Sequence, residues 1–354
     1  MIVLGIESSC DETAAAVVQD GHILRSNVVA TSLDLHAVYG GVVPEIAARS
    51  HIESIIPVIT QALEQAACDW QDIDAIAVTY GGGLGGSLLI GVLTARTLAI
   101  TKGKPLYAVN HVEGHVYANF LTDTTLEGYV LPAKQPEFPM LALAVSGKHS
   151  ELILFRNHFD YQLLGETCDD AVGEAFDKVA KMIGLPYPGG PNVSKKAAEG
   201  NQHAFMFPKA KMAGKYDFSF SGLKTAVLRT AQLQIGEDHT FPSIGLPERL
   251  NEAQKADIAA SFECSAIETL VDKTLLAYEE FKPRSVVIAG GVAANQELRR
   301  QLADRLPLPI AYTDPKLCTD NGAMIATLGC FKANLDPKKV ADPYLLDIVS
   351  NLSM

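Results

Sequence analysis

Hydrophobic stretches separated by short polar turns predict two similar sets of β-strands. Each set begins with an almost wholly apolar strand, which a small polar turn connects to a second and then a third strand. The two sets start about 138 residues apart, and predicted helices follow each of them. This recurrence indicates an internal duplication. The six predicted strands cover residues 2–7, 13–18, 22–30, 140–145, 151–155 and 161–164.

The rest of the chain alternates between helical and strand patterns. Such alternation is typical of an α/β fold in which helices cover the sheets. Pro57 predicts an interruption of the first long helix. The other predicted strands are 73–79, 106–109 and 285–289, and the predicted helices are 45–66, 87–101, 169–183, 251–281, 293–306 and 322–333.

The duplication is similar to the architecture of actin-like ATPases and sugar kinases, a ribonuclease-H-like fold with two lobes around a nucleotide cleft. In that architecture the turn between the first two strands of each lobe holds phosphates. By analogy, we expect phosphate-binding turns at residues 8–12 and 146–149. We also expect an N-terminal lobe, a C-terminal lobe and a tail, at residues 1–138, 139–336 and 337–354.

Residues 111–115 read His-Val-Glu-Gly-His, which places two histidines four positions apart on a predicted helix. Their side chains lie about 40° apart around the helix axis, so they point the same way and could share a metal ion. Glu113 lies about 200° from His111, whereas the glutamate of H-E-x-x-H zinc peptidases follows the first histidine and acts as general base. The pattern indicates either a metal site without peptidase chemistry or two ordinary helix histidines.

A metal held by this pair needs a third ligand. Asp320, just before the last predicted helix, is the candidate, although an aspartate in that position is commonly a helix N-cap. His149, in the second polar turn, is an alternative ligand or simply a solvated turn residue.

Four polar or glycine-rich segments next to predicted strands and helices are candidate ligand contacts. Small residues there let a ligand approach closely or expose backbone N–H groups to an anion. Glu174 and Asp177 share a helix face on which a carboxylate could hold ribose hydroxyls, and Asn295 could contact a base edge or a phosphate. Ordinary turns and a solvated acidic face are the alternatives. The segments are 5–13, 144–149, 169–191 and 290–295.

The composition excludes several classes of protein. The 354 residues are 48% hydrophobic and 20% charged, which is typical of a globular protein, and no apolar run approaches the ~20 residues of a membrane span. The apolar N-terminal stretch has no basic flank, so it is not a secretory signal. The six scattered cysteines contain no C-x-x-C pair and indicate reduced thiols. We therefore expect a cytoplasmic protein that does not enter the membrane.

The net charge of −12 disfavours binding to nucleic acid, yet positive charge is concentrated in one segment. Residues 178–229 contain nine basic and two acidic residues. Basic and aromatic side chains together suit phosphates and unstacked bases, so this basic segment is a candidate RNA-binding track. The alternative is a solvated basic face. The aromatic residues between the charges are Phe205, Phe207, Tyr216, Phe218 and Phe220.

With these motifs, the chain resembles the bacterial tRNA N6-adenosine threonylcarbamoyltransferase family, formerly described as O-sialoglycoprotein endopeptidases. The resemblance runs from residue 1 to about residue 333 and rests on many motifs in the family's order. These motifs are residues 5–13, 41–45, 85–89, 110–115, 145–147, 173–178, 187–191, 218–224, 290–295 and 318–323.

The resemblance implies the actin-like ATPase fold and a metal-dependent acyltransferase. In this family the threonylcarbamoyl group moves from threonylcarbamoyl-AMP to N6 of adenosine 37 in the anticodon loop of tRNAs that read codons beginning with A, and AMP leaves. The implied metal is iron(II), with zinc as the alternative. The implied protein partners are a paralogue that forms a heterodimer and a small ATPase.

The resemblance also implies roles for individual residues. His111, His115 and Asp320 would hold the metal, and Glu12 is a candidate for the general base. The residues implied to bind the substrate are Ala144, Val145, Ser146, Gly147, Lys148, Asp177, Gly190 and Asn295.

Three positions depart from the family pattern. Lys148 replaces the second glycine of the usual Val-Ser-Gly-Gly-His-Thr loop and Ser150 replaces its threonine, so a close backbone approach at position 148 is in question. Ser194 stands where many members have aspartate, and we assign it no role. A metallopeptidase, or a nucleotide-binding kinase-like protein of the same fold, remains the alternative function.

Overall fold

The structure is a computed structural model that describes all 354 residues. The chain divides into two compact units. The first unit is discontinuous and consists of Met1–Pro136 and Ala311–Met354. The second unit is the continuous stretch Glu137–Ile310. None of the helices has the length and apolar character needed to cross a membrane.

The elements up to residue 124 all belong to the first unit. A short 3₁₀ turn, Ala118–Phe120, extends its fourth helix. In chain order the elements are β1 Ile2–Glu7, β2 Glu12–Gln19, β3 Ile23–Thr31, α1 Leu33–Ala37, α2 Pro44–Gln65, β4 Ala75–Gly81, α3 Gly85–Lys102, β5 Leu106–Asn110, α4 His111–Tyr117 and β6 Asp123–Thr124.

The remaining elements build the second unit and then return to the first. The long helix of the second unit begins with a capping box, in which Asn251 and Gln254 satisfy each other's backbone N–H groups. The elements are β7 Met140–Val145, β8 Ser150–Asn157, β9 Asp160–Glu166, α5 Val172–Ile183, α6 Gly189–Ala197, α7 Ser221–Gln234, α8 Leu246–Arg249, α9 Glu252–Phe281, β10 Ser285–Ala289, α10 Gln296–Arg305, β11 Ile310–Ala311, α11 Pro315–Cys318 and α12 Gly322–Leu335.

The two sheets share one strand order. The first sheet runs β5-β4-β1-β2-β3-β6 and the second runs β11-β10-β7-β8-β9. In the first, β1 pairs antiparallel with β2 and parallel with β4. In the second, β7 pairs antiparallel with β8 and parallel with β10. This match confirms the predicted internal duplication and the α/β class.

Helix α12 lies unusually close to the first sheet because glycines remove side chains at the contact. A Cβ added to Gly5 would lie 2.3 Å from the backbone oxygen of Gly322, and one added to Gly329 would lie 2.4 Å from Cβ of Ala77. Contacts this short do not occur between real Cβ atoms and their neighbours. The glycines therefore fix the start of α12, two residues after Asp320.

The domain boundaries expected from the sequence need correction. Residues 311–336 were expected in the second lobe, but the structure places them in the first unit. The physical reason is the close packing of α12 on β1 and β2. The tail, residues 337–354, belongs to the first unit as well.

Two predictions about helices are also wrong. Helix α2 continues through Pro57 without interruption. Its buried residues Ile55, Val58 and Ile59 belong to the core of the first unit, and this packing offsets the ~3 kcal/mol that an internal proline costs. The helix predicted at 293–306 is divided into a 3₁₀ turn at Gly291–Ala294 and α10, because the side chain of Asn295 caps α10.

Candidate functional site

Helix α4 begins directly where strand β5 ends. The side chain of Asn110 accepts hydrogen bonds from the backbone N–H groups of Val112 and Glu113, so it caps the helix. His111 is consequently the first residue of α4, and His115 lies one turn further on. Both are buried, with 5% and 3% of their surface exposed. The pair therefore does not consist of ordinary surface histidines.

Asp320 lies beside both histidines. One carboxylate oxygen, Oδ1, is 3.2 Å from Nε2 of His115 and 3.5 Å from Nε2 of His111. The three ligand atoms lie within 4.8 Å of one another. Asn321, and not Asp320, caps α12 by accepting from the N–H of Met324. The capping explanation for Asp320 is therefore wrong.

The three residues fit a divalent transition metal. Both ring nitrogens of His115 are buried, and neither has a hydrogen bond of good geometry, although Nε2 lies 3.2 Å from Oδ1 of Asp320. Buried polar atoms without such a bond are rare unless a ligand binds them. Two imidazoles and one carboxylate form a donor set that suits iron(II) or zinc and leaves coordination positions open. His149 lies in the second unit and is not part of this cluster.

Two glutamates flank the cluster differently. The Glu7 carboxylate lies 3.3 Å from Nδ1 of His111. Burial by itself would raise the pKa of Glu7. The charge of His111 and its hydrogen bond to Glu7 act in the opposite direction and outweigh burial, so the pKa of Glu7 is lowered. Glu113 instead lies 3.9 Å from the Lys332 ammonium, and its burial raises its pKa. This position agrees with the prediction that Glu113 faces away from the metal.

The first expected phosphate-binding turn, residues 8–12, is mostly buried, and its serines form hydrogen bonds within the protein. Ser8 and Ser9 are each only 1% exposed, and the Ser9 backbone N–H donates to Glu7. The Ser8 hydroxyl donates to the backbone oxygen of Ser87. Burial, followed by the negative charges of Asp320 and Asp11, raises the pKa of Glu12 to about 10. Glu12 therefore carries a proton at neutral pH in the ligand-free protein.

The second expected turn is more open. Gly147 and Lys148 are exposed, and a Cβ at Gly147 would meet nothing within 4 Å. The Ser146 hydroxyl accepts from the backbone N–H groups of Lys148 and His149, which fixes the turn. The exposed backbone at 147–148 is therefore accessible to a ligand.

Two more glycines approach this turn within the second unit. A Cβ at Gly173, near the start of α5, would lie 2.6 Å from the oxygen of Ser146. Gly290 has φ +86° and follows β10, where a Cβ would lie 2.4 Å from the oxygen of Val145. Three segments that are far apart in sequence thus meet at the end of β7.

The other residues expected to bind the substrate, Asp177, Gly190 and Asn295, differ in how far they already form contacts within the second unit. Asp177 accepts a hydrogen bond from the Gly189 N–H, and a Cβ at Gly190 would meet nothing within 4 Å. Gly190 is therefore open to a ligand. Asn295 donates to Ser194 and Glu263 and accepts from the N–H of Leu298. Most of its hydrogen-bonding capacity is used inside the second unit, which reduces what it can offer to a base or a phosphate.

The basic segment 178–229 is partly neutralised, and its aromatic residues are mostly internal. Of the five interleaved aromatic residues all but Phe205 are buried, so these four side chains are not available to stack on bases. Five of the lysines form ion pairs with acidic residues, and Lys181, Lys195 and Lys211 are exposed without an ion pair. The paired lysines are Lys178, Lys196, Lys209, Lys215 and Lys224.

Sequence reasoning did not identify a role for the tail. Asn110, the cap of α4, donates from Nδ2 to the backbone oxygen of Ser353 at 3.1 Å. Val349 donates to the oxygen of Tyr80 and forms a bridge with Gly81. The tail thus contacts the end of β4 and the residue that caps the histidine helix. No motif in residues 337–354 indicates this contact.

Comparison with known proteins identifies the family. A model of the family TsaD, tRNA N6-adenosine threonylcarbamoyltransferase, matches residues 23–327. A tRNA N6-adenosine threonylcarbamoyltransferase from Thermomicrobium roseum is 48% identical over 365 residues, covering 100% of this chain and 97% of the relative. The one from Symbiobacterium thermophilum is 50% identical over 333 residues, covering 93% of this chain and 91% of the relative.

Solved structures with low sequence identity support the fold. HypF from T. kodakarensis aligns with 96% of this chain and 49% of its own, with a TM-score of 0.60 at 14% identity. Component A of (R)-2-hydroxyglutaryl-CoA dehydratase from Acidaminococcus fermentans aligns with 95% of this chain and 100% of its own, with a TM-score of 0.51 at 15% identity. Together with the duplicated sheets, these likenesses confirm the expected actin-like ATPase fold class. The chain belongs to the tRNA N6-adenosine threonylcarbamoyltransferase family.

Proposed function

We propose that this protein transfers the threonylcarbamoyl group from threonylcarbamoyl-AMP to N6 of adenosine 37 in tRNAs that read codons beginning with A. The N6 amine attacks the carbamoyl carbonyl carbon, the bond from that carbon to the phosphate oxygen breaks, and AMP leaves with the electron pair. The observation that carries the proposal is the cluster of two buried histidines, His111 and His115, with the half-buried Asp320 in a chain of this family.

We propose that this cluster holds iron(II), with zinc as the alternative. The two imidazoles and the carboxylate would supply three ligands. When bound, the metal would supply Lewis acidity toward the carbonyl or charge stabilisation at the leaving phosphate. His111, His115 and Asp320 would help to orient threonylcarbamoyl-AMP, and this lowers the entropic part of the activation barrier.

In the second unit, the open positions support the proposed substrate contacts. The exposed backbone at Gly147 and Lys148 would contact phosphate, and the Lys148 ammonium would add a positive charge. Asp177, Gly190 and Asn295 would contact the nucleoside part, and the free space above Gly190 supports this. Ala144, Val145 and Ser146 would shape the turn that presents this backbone.

Glu12 remains the proposed acceptor for the amine proton. A carboxyl with a pKa of about 10 holds its own proton at neutral pH, so it must first lose that proton to act as a base. Replacing Glu12 by Gln should lower the rate and alter the pH profile of transfer. An unchanged pH profile would assign the proton to another acceptor.

The exposed lysines of the basic segment are the proposed tRNA contacts. Lys195 has no ion pair, whereas Lys209 is paired with Glu268 and Asp272. Lys195→Ala is expected to weaken tRNA binding at low salt and to reduce the salt dependence of log Kd by about 0.7–0.9. Lys209→Ala is the control and should change the slope less. Equal slopes for wild type and Lys195→Ala would place the tRNA elsewhere.

An apolar surface on the first unit supports the proposed paralogous partner. Helices α2 and α3 pack side by side and expose pairs of large apolar residues four positions apart. Exposed apolar patches of this kind mark protein interfaces. These residues are Ile52, Ile56, Leu89 and Leu93, with exposures of 61%, 56%, 40% and 44%. We propose that the paralogue binds this surface.

We also propose a small ATPase as the second partner protein and the cytoplasm as the location of the protein.

A metallopeptidase is disfavoured by the position of Glu113. A peptidase of this type needs a carboxylate that faces the metal-bound water. Glu113 lies beside Lys332 and is not part of the cluster. No residue constellation in the chain specifically favours a kinase.

The deciding experiment supplies purified protein, its partners, threonylcarbamoyl-AMP and unmodified tRNA, and mass spectrometry measures the modified nucleoside. Wild type should form product, and His115→Ala should lose nearly all activity. His239, an exposed histidine outside the basic segment, provides the control His239→Ala, which should retain activity. Absence of transfer by wild type with its partners would refute the proposal.

A further inference from the structure

His111 is held through the ring nitrogen that faces away from Asp320. Its Nδ1 lies 3.3 Å from Oε2 of Glu7 and 3.0 Å from the Ser9 hydroxyl. Its Nε2 lies 3.5 Å from Oδ1 of Asp320. The two sides of one imidazole therefore face two different carboxylates.

The Glu7 carboxylate is rigidly placed. Glu7 ends strand β1 and is 0% exposed. One of its oxygens accepts from the backbone N–H of Ser9, and the other accepts from the hydroxyl of Thr79 on the neighbouring strand β4. Two donors from different segments thus fix the plane of this carboxylate before any contact with His111 is considered.

In this arrangement Glu7 favours one tautomer of His111. An ionised carboxylate offers only acceptors, so a neutral imidazole next to it presents an N–H and not a lone pair. The Ser9 hydroxyl can donate or accept, so it is compatible with either tautomer and leaves the choice to Glu7. Two lone pairs that face each other in a buried site would repel. With the proton on Nδ1, the lone pair of Nε2 points toward Asp320, where a metal ligand is required.

We propose that Glu7 is the positioning residue of the metal site, which keeps His111 in the tautomer and ring orientation that bind the metal through Nε2. Carboxylates that accept from the second nitrogen of a ligand histidine commonly raise metal affinity. This inference rests on the proposed metal role of His111, His115 and Asp320. The contact spans 104 residues of sequence and lies in no single motif.

The test compares two buried glutamates in the full chain. Glu7→Gln keeps size and an acceptor oxygen but replaces the second acceptor by an N–H₂ donor, which favours the other tautomer of His111. Glu113→Gln is the matched control, because Glu113 is equally buried and on the same helix as His111 but faces Lys332. Cobalt(II) serves as the probe, with its visible absorption and calorimetry as readouts.

Glu7→Gln is expected to bind cobalt(II) about 10–100-fold more weakly than wild type, and Glu113→Gln to bind like wild type. In a His111→Ala background, Glu7→Gln should cause no further loss, since Glu7 acts through His111. The ¹⁵N shifts of the histidines in metal-free wild type should show His111 protonated on Nδ1. A merely structural role for Glu7 would lower the melting temperature without these changes.

If Glu7→Gln unfolds, Thr79→Val tests the same idea, because it removes a donor to the Glu7 oxygen that faces His111 and should weaken cobalt(II) binding in the same direction. Cobalt(II) affinity equal to wild type in the folded variants, or His111 protonated on Nε2 in metal-free wild type, would overturn the role of Glu7. Absence of cobalt(II) binding by wild type would instead overturn the metal site itself. The two failures are therefore distinguishable.

Discussion

Replacing Gly5 by alanine should damage both the stability of the first unit and the metal site. The new Cβ would lie 2.3 Å from the backbone oxygen of Gly322 and 2.4 Å from the backbone nitrogen of Ala326. Both neighbours are backbone atoms of α12, so no side-chain rotation can relieve the clash. The helix must move away from the sheet by about 1 Å to restore an ordinary contact.

The expected magnitude follows from this overlap. Overpacking of a buried contact costs about 1–3 kcal/mol, and a unit of this size loses about 2–4 °C in melting temperature per kcal/mol. The melting temperature of Gly5→Ala should therefore fall by about 2–12 °C. Because Asp320 precedes α12 by two residues, the same movement should separate its carboxylate from His111 and His115 and weaken metal binding.

The assay combines thermal melts with a cobalt(II) titration. Gly222→Ala is the control, since Gly222 lies in α7 and a Cβ there would meet nothing within 4 Å. This control should melt at or slightly above the wild-type temperature, because alanine favours the helix. A Gly5→Ala protein that melts and binds cobalt(II) like wild type would show that the close approach of α12 to β1 does not limit the fold.

Two further predictions concern a buried carboxyl and the tail. Burial, followed by the charge of Glu166 on the paired strand, raises the pKa of Glu151 from 4.5 to about 7. Since the folded-state pKa is raised, the native state loses stability as the pH rises from 4.5 through 7. Glu151→Gln should therefore melt like wild type near pH 4.5 and be more stable by up to ~3 kcal/mol at pH 8; a pH-independent difference in melting temperature would contradict this. Arg96 donates to three backbone carbonyls in residues 343–346, so Arg96→Ala should speed proteolytic cleavage within the tail, and an unchanged cleavage rate would contradict the role of these bonds.

Local patterns in the sequence predict the strands and the histidine pair well. The strands predicted at 2–7 and 140–145 have the observed bounds. An uninterrupted apolar run between two polar turns determines where a buried strand begins and ends. The separation of His111 and His115 places them on one helix face for the same local reason. Asp320 was one of two candidate third ligands, with His149, and the family resemblance selected it, since no local pattern connects it to a helix about 200 residues earlier.

The remaining features depend on tertiary contacts that a linear pattern does not contain. Whether Phe218 and Phe220 point inward or outward is decided by packing, and both are 0% exposed. The contact of Glu7 with His111 joins β1 to α4, and the bond from Asn110 to Ser353 spans 243 residues. Tertiary packing can also override a local signal. The proline at position 57 predicts a break, but α2 continues through it because its buried face packs in the core.

The discontinuity of the first unit sets an order for biosynthesis. His111 and His115 emerge first, whereas Asp320 and the helix behind it are translated about 200 residues later, after the whole of the second unit. The second unit is continuous, so it can fold while the first still lacks a helix of its core. A chain that terminates before residue 320 therefore carries the two proposed ligand histidines without the carboxylate that lies beside them. The proposed metal can consequently find all three ligands only after the second unit has been synthesised.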